Sequence, residues 1–227
     1  MELKLSKRLL TVAALVPSCD TLADIGSDHG LLPLYLIQKQ RIQKAYCCDI
    51  RPGPLKAAEK NIALYGLADV ATPLLGSGLF PVQNKPHEVA VIAGMGGETI
   101  AQILGDDEIA DDDPRLFVLQ PMSRANLLRE YLAENGFEVL DFVLCKDGGY
   151  LYECFSVRKS KNVETDPLYR YVSRQHHADD TLYKEYLTEY RRRLLTMLAG
   201  HAASGAAETA ETAKQRTLAA ALDQLLR

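Results

Sequence analysis

Residues 22–30, Leu-Ala-Asp-Ile-Gly-Ser-Asp-His-Gly, constrain this chain more than any other stretch. The apolar run at 22–26 reads as a short buried strand and 31–38 as a helix, with two glycines at the junction. A strand that opens into a helix through glycines suits a nucleotide-like ligand. Glycine lets the backbone approach closely, and the helix N-terminus presents N–H groups that have no partner in the helix. The spacing is not the dinucleotide fingerprint G-x-G-x-x-G, because counting from Gly26 puts Asp28 and Leu31 at its second and third glycines. What fits is acid-x-Gly-x-x-x-Gly, carried by Asp24, Gly26 and Gly30. Asp28 then places an acidic side chain where a ligand would come nearest.

Strand-like and helix-like segments alternate through residue 159. A strand at 44–50 ends in Asp49-Ile50. A helix at 54–65 has proline near its start and Gly66 at its end. Strands follow at 70–75 and, richly β-branched, at 88–93; then come a helix at 98–104 and a strand at 115–120. Ser123 is the expected cap of a helix that runs to Asn135 and stops at Gly136. Strands at 138–146 and 151–158 flank Asp147-Gly148-Gly149, a hairpin signal that makes this last pair antiparallel. The 79–87 connection, with Pro81 and Pro86, is too short and proline-rich for a full helix. From about residue 165 strand signals vanish. Leu182, Tyr186, Tyr190, Leu194 and Leu198 recur at helical spacing, the small-residue stretch 200–205 interrupts, and 213–226 resumes with Leu218, Leu222 and Leu225. The expectation is a sheet domain over 1–160 and a coiled-coil-like helical hairpin over 161–227.

Hydrophobic residues make up 47% of the 227, enough for a full core. No apolar run approaches the ~20 residues that span a bilayer, so no membrane association is expected. The run at 9–16 behind the N-terminal charges reads as an amphipathic helix, not a secretory leader, because Glu2 interrupts the charged region and no clean small-x-small cleavage site follows. Five cysteines, odd in number and without C-x-x-C spacing, argue against a metal site or a disulfide framework and for a reducing cytoplasm. The net charge of −4 is unevenly spread: 16 basic against 21 acidic residues in 1–160, and 10 against 9 in 161–227. Part of the acidic excess lies in Asp106-Asp107-Glu108 and Asp111-Asp112-Asp113, a stretch expected to be a solvated connection. Basic residues gather in Lys4, Lys7 and Arg8 and in Arg191, Arg192 and Arg193.

Each candidate site has a structural alternative. Asp49, ~20 residues beyond the glycine turn, can accept hydrogen bonds from both hydroxyls of a ribose; a mere surface acid would not need that position. Gly76-Ser77-Gly78 permits backbone contact with a flat base, or is a plain loop. Ala93-Gly94-Met95-Gly96-Gly97 makes a backbone-lined floor with one soft apolar contact, or a hinge. Asp28 is either a carboxylate beside the reacting group or the cap of the following helix, and His29 either a base or a partly buried packing residue. The three arginines are either phosphate ligands with salt-dependent affinity or a solvated helix face. Tyr183, Tyr186 and Tyr190 have core spacing rather than that of a base-stacking surface.

The acidic glycine turn, the acid that ends strand two and the five βα units closed by a hairpin resemble the class I methyltransferases that bind S-adenosylmethionine. That resemblance implies an α/β, Rossmann-like fold with a seven-stranded, mostly parallel sheet whose last strand is antiparallel. It implies cofactor binding by Asp24, Gly26, Ser27, Asp28, Gly30, Asp49, Ile50, Gly76, Ser77, Gly78, Ala93, Gly94, Met95 and Gly96, with Asp28, His29 and Met95 facing the reacting centre. Two departures are visible: Asp28 stands where that family usually has glycine, and the 79–87 connection lacks a helix. The strings Asp-Ile-Gly-Ser-Asp-His-Gly-x-Leu-Pro (24–33), Ala-Gly-Met-Gly-Gly (93–97) and Leu-Gln-Pro (119–121), with the helical hairpin, are similar over nearly the whole chain to the bacterial tRNA (adenine-22-N1)-methyltransferases, the TrmK family. This implies methylation of an adenine N1 in the tRNA D-arm and a hairpin that grips tRNA, with Lys4, Lys7, Arg8, Arg191, Arg192 and Arg193 as the RNA contacts. The residues alone also fit a small-molecule methyltransferase with a helical lid, or a cofactor-binding scaffold without turnover. They do not encode an oligomeric state, for which a monomer is the starting expectation.

Overall fold

The structure is a computed structural model and describes residues 2–162, 168 and 181–227. The chain divides into two compact units, Met1–Val163 and Glu164–Arg227. The first contains α1 (Lys7–Leu15), β1 (Cys19–Ile25), α2 (Leu31–Gln38), β2 (Ile42–Asp49), α3 (Pro52–Leu64), β3 (Ala71–Leu75), β4 (Val89–Gly96), α4 (Gly97–Asp106), β5 (Leu116–Ser123), α5 (Ala125–Glu134), β6 (Phe137–Asp147) and β7 (Tyr150–Lys159). The 79–87 connection holds only a 3-10 turn, Phe80–Val82. The second unit contains α6 (Thr181–Ala203) and α7 (Ala210–Leu225), which pack against each other.

Seven strands form one sheet in the order β3-β2-β1-β4-β5-β7-β6. The first five are parallel, because each crossover returns the chain to the same end of the sheet. β7 enters antiparallel between β5 and β6. The cause is local: Gly148 at φ 57° and Gly149 at φ 82° form a two-residue turn in which both central residues lie in the left-handed region. β1 is central and buried on both faces, so Leu22, Ala23, Asp24 and Ile25 form an unbroken buried run. Val12 and Val16 of the N-terminal segment, Leu32 and Leu36 of α2, and Leu22, Val91 and Val118 of the sheet pack into one core cluster. Leu34, Cys47, Ile62 and Ala71 belong to another. The strand order reverses between β1 and β4, which opens a crevice at their carboxyl ends.

Several expectations need correction. Ser123 does not cap α5: it is the last residue of β5, and the cap is Arg124, at φ 53° and with no side-chain cap bond. β4 runs through the glycine-rich loop to Gly96, because that loop continues to pair with β5 through a bulge at Met95. The acidic stretch is not simply solvated. Asp107 and Asp113 are only 7% and 11% exposed and both bind Arg115, at 3.1 and 2.6 Å. In the second unit, α6 continues through Gly200 to Ala203. The break comes afterwards, and Thr209 then starts α7 with a reciprocal capping box to Thr212. The buried stripe of α6 is Tyr183, Tyr186, Leu187 and Leu194; Leu182, Tyr190 and Leu198 flank it, half-buried.

Among the described residues no helix is long and apolar enough to cross a membrane, and no cluster of three metal-ligating side chains occurs. All five cysteines are free. Burial pushes the Cys48 and Cys154 thiols up to about 12, which keeps them unreactive at neutral pH.

Gly97, the first residue of α4, lies against the turn between β5 and α5. A Cβ there would sit 2.3 Å from the Arg124 carbonyl oxygen, a backbone atom that cannot swing aside. Gly97→Ala should therefore destabilise the protein by about 1–3 kcal/mol, read as a lower denaturant midpoint at unchanged slope.

Candidate active site

A cavity of about 470 Å³ opens at the crevice where the strand order reverses, a size that suits a nucleoside-sized ligand. Its floor is the β1–α2 turn. Gly26, at φ 73°, and Ser27 both donate their backbone N–H to the Cys48 carbonyl at 2.8 Å, which folds the turn over the end of β2. Gly26 is required twice, since only glycine holds that φ without strain and a Cβ there would lie 2.1 Å from the Met95 methyl group. Gly30, at φ 71°, closes the turn onto the Ser27 carbonyl at 2.9 Å and starts α2.

Two buried carboxylates flank this turn. Asp49, 5% exposed, accepts from the Asp28 backbone N–H at 3.2 Å and from that of Arg51 at 2.9 Å. One bond falls on each oxygen, so each keeps a lone pair for a further donor. Asp24, equally buried, accepts from the Ser27 hydroxyl at 2.6 Å. Burial pushes its carboxyl up to about 6; the Ser27 bond pulls the other way, and nearby Asp49 adds to the rise.

Asp28 and His29 sit on the outer lip of the turn. Asp28 is at φ 53°, a conformation aspartate tolerates better than most residues. The helix-cap role does not hold, because α2 begins at Gly30 with no side-chain cap bond. His29 is not a packing residue either: its side chain is 55% exposed and Asp28's 59%, with the His29 Nε2 3.5 Å from an Asp28 oxygen. The His29 carbonyl accepts from the Asn61 amide at 2.8 Å, which ties the lip to α3.

Ile50 follows Asp49 at the rim with its side chain exposed. Gly76 donates to the Asp49 carbonyl at 3.0 Å and, with Ser77 and Gly78, forms the wall after β3. Ala93, Gly94 and Met95 form the wall after β4. Of the residues expected at the cofactor, Gly30 and Gly96 do not reach the cavity; they start α2 and α4. Sequence reasoning missed Leu9, Arg51 and the inner side of α4, where Thr99, Gln102, Ile103 and Asp106 also line the space. Gln120 was legible as one polar residue in the apolar run Leu-Phe-Val-Leu-Gln-Pro, and it is fully buried behind Gly94.

The basic residues separate into distinct environments. Lys4 and Lys7 are exposed. Arg8 is half-buried and lines the cavity. Arg192 and Arg193 both bind Glu189, at 2.7 and 2.8 Å, and these hydrogen bonds hold its carboxyl down at about 2. Arg191 pairs with Asp223 of α7.

A seven-stranded sheet of this order, with a glycine turn at its switch point and a buried acid ending β2, defines a class I methyltransferase. The methyltransferase domain family matches residues 5–155. The tRNA (adenine(22)-N(1))-methyltransferase of Bacillus subtilis is 38% identical over 154 residues, a match that spans 67% of this chain and 64% of that protein. The solved structure of the B. subtilis m1A22 tRNA methyltransferase TrmK superposes with a TM-score of 0.82 at 28% identity, covering 100% of both chains. The structure of Mycoplasma capricolum TrmK in complex with S-adenosylhomocysteine superposes with a TM-score of 0.80 at 26% identity, covering 98% of this chain and 99% of that one. The chain belongs to the methyltransferase domain family and, within it, to the TrmK family.

The raised Asp24 carboxyl has a consequence for stability. Its folded value, about 6, lies above the unfolded value near 3.8, so the folded state binds the proton more tightly. The stability this group contributes is fully present below about 3.8 and is lost as the pH rises through about 6. Asp24→Asn keeps an acceptor for Ser27 and removes the titration. Relative to the parent, the ligand-free variant should gain nothing at pH 4 and on the order of 3 kcal/mol at pH 7.5, measured as paired denaturant midpoints across that range.

Proposed function

We propose that this chain is an S-adenosylmethionine-dependent tRNA (adenine-22-N1)-methyltransferase acting in the cytoplasm. The observation that carries the proposal is the Asp49 carboxylate, pinned by two backbone donors at the rim of a glycine-lined cavity. That carboxylate suits the two hydroxyls of a ribose. Gly76, Ser77, Gly78 and Ile50 suit the adenine, and Asp24, Gly26, Ser27 and Ala93–Met95 suit the methionine end. The residues present thus fit the cofactor, which when bound supplies an electrophilic methyl group. The B. subtilis relative's described activity supports the choice of tRNA and of the atom.

Adenine N1 has an in-plane lone pair, so no proton must be removed before it acts as a nucleophile. The protein therefore has to align the base and stabilise the positive charge that builds on the ring, the positioning and electrostatic effects that dominate such transfers. Asp28, on the lip of the turn, can accept a hydrogen bond from the exocyclic amine, which becomes more acidic as that charge develops. Met95 offers an apolar contact beside Gly26, and His29 stands next to Asp28. Lys4, Lys7, Arg191, Arg192 and Arg193 serve the tRNA backbone in this proposal. The last three would exchange a carboxylate partner for a phosphate, so binding should weaken with salt.

Incubation with labelled S-adenosylmethionine and bulk bacterial tRNA, followed by nucleoside mapping, tests the whole proposal. Label in 1-methyladenosine at position 22 is expected. Transfer only to small molecules would favour the lid-bearing alternative, and no transfer at all would leave a binding scaffold. Asp49→Ala should weaken S-adenosylmethionine about 10–100-fold by calorimetry, the worth of a hydrogen-bonded charged acceptor; unchanged affinity removes Asp49 from the site. Asp28→Asn keeps the backbone conformation, which asparagine also tolerates. It should still bind cofactor but lose on the order of 10²-fold in single-turnover rate. A parental rate would reduce Asp28 to a turn residue.

A further inference from the structure

We propose that Arg8 is the anion anchor of this site, its guanidinium held by Gln120 and Tyr152 so that it takes a carboxylate or phosphate oxygen inside the cavity. The proposal rests on the methyltransferase assignment, because that chemistry brings two such anions: the α-carboxylate of the methyl donor and the backbone phosphate of the target nucleotide.

Arg8 is fixed at three points. Its backbone N–H donates to an Asp147 carboxylate oxygen at 2.9 Å, which fastens the start of α1 to the β6–β7 hairpin. Its guanidinium lies 6.0 Å from the centre of the Tyr152 ring. Its Nη1 donates to the Gln120 side-chain oxygen. Gln120 is fully buried and can adopt only one orientation, because the same oxygen also accepts the Gly94 N–H at 3.2 Å while its amide nitrogen donates to the Pro121 carbonyl at 2.8 Å. A flipped amide would set donor against donor on two sides. Gln120 is therefore a positioning residue that aims the guanidinium and braces the wall after β4.

The charge of Arg8 is not neutralised where it stands. Among the described residues it has no carboxylate within ion-pair distance, whereas Arg51, Arg115, Arg124 and Arg129 each have one. A guanidinium fork with a single neutral side-chain partner keeps donors for an oxyanion, and its geometry matches carboxylate and phosphate in a way that an ammonium does not. Its place in the sheet sets which part of the ligand it meets. Gln120 on β5 is three strand steps from Asp49 on β2, roughly 14 Å at the usual spacing. The anchor therefore belongs to the end of the cavity remote from the ribose acid, where the amino-acid end of the donor and the target nucleotide converge.

Arg8→Met keeps the aliphatic packing over Tyr152 and removes the fork, while Arg8→Lys keeps the charge and loses the geometry. Both are compared with the parent by calorimetry with S-adenosylmethionine and with 5′-methylthioadenosine, which lacks the carboxylate, and by steady-state kinetics with tRNA. If the anion is the carboxylate, Arg8→Met loses tenfold or more in affinity for S-adenosylmethionine and nothing for methylthioadenosine. If it is the phosphate, both affinities hold, kcat/KM for tRNA falls tenfold or more and the salt dependence becomes shallower by about one. Arg8→Lys recovers part of the loss in either case. Parental values for Arg8→Met throughout overturn the proposal. So does an equal loss with both nucleosides, which would make Arg8 only a piece of cavity wall. If the parent binds S-adenosylmethionine but methylates no tRNA, the assignment of function fails, and calorimetry still decides the anchor.

Discussion

The Cys48 carbonyl accepts hydrogen bonds from the backbone N–H groups of Gly26 and Ser27, both at 2.8 Å. These two bonds bend the chain out of β1 across the end of β2. They bring Asp28 within 3.2 Å of Asp49, and they leave α2 to start at Gly30. A side chain at 26 would break the arrangement both by conformation and by collision with Met95. The cavity floor, the ribose acid and the wall after β4 thus share one small backbone feature, built where the sheet reverses its order.

Around that feature the site divides its charge along the sheet. Asp24 and Asp49 are buried side by side but solvated differently by the protein. Asp49 receives two backbone N–H groups, while Asp24 receives only a serine hydroxyl and is harder to ionise as a result. A cationic ligand would relieve that cost, so cofactor binding and the ionisation of Asp24 should be coupled. On the β5 side stands Arg8, with Gln120 and without an acid. The cavity therefore runs from a buried acid on β2 to a guanidinium beside β5.

Much of this was legible. The helix at 31–38 is found at those bounds, because its apolar run is enclosed by a glycine before and a polar break after. The terminal hairpin follows from Asp147-Gly148-Gly149, whose two glycines adopt the conformation the turn requires. Strand two ends at Asp49 because the chain must turn there to start α3. What failed was local chemistry overridden by tertiary pairing. Ser123 looks like a cap, but β5 holds it in a strand against Gly96. Asp28 looks like a cap, but Gly30 takes that position. Asp107 and Asp113 look like surface charge, but Arg115 draws them in.

The sequence by itself determined the alternation of elements, the glycine turn and the acids that flank it, since each depends on residues close together in the chain. Only the tertiary structure decided what the basic residues do. Arg8 looks identical in kind to Lys4 and Lys7, yet it reaches Gln120, 112 positions away, and enters the cavity while they stay in solvent. Arg191 looks identical to Arg192 and Arg193, yet it crosses to Asp223 on the neighbouring helix while they share Glu189 on their own. A charge acquires its role from its partner and its burial, and for these residues both are set by which distant segment the fold brings alongside.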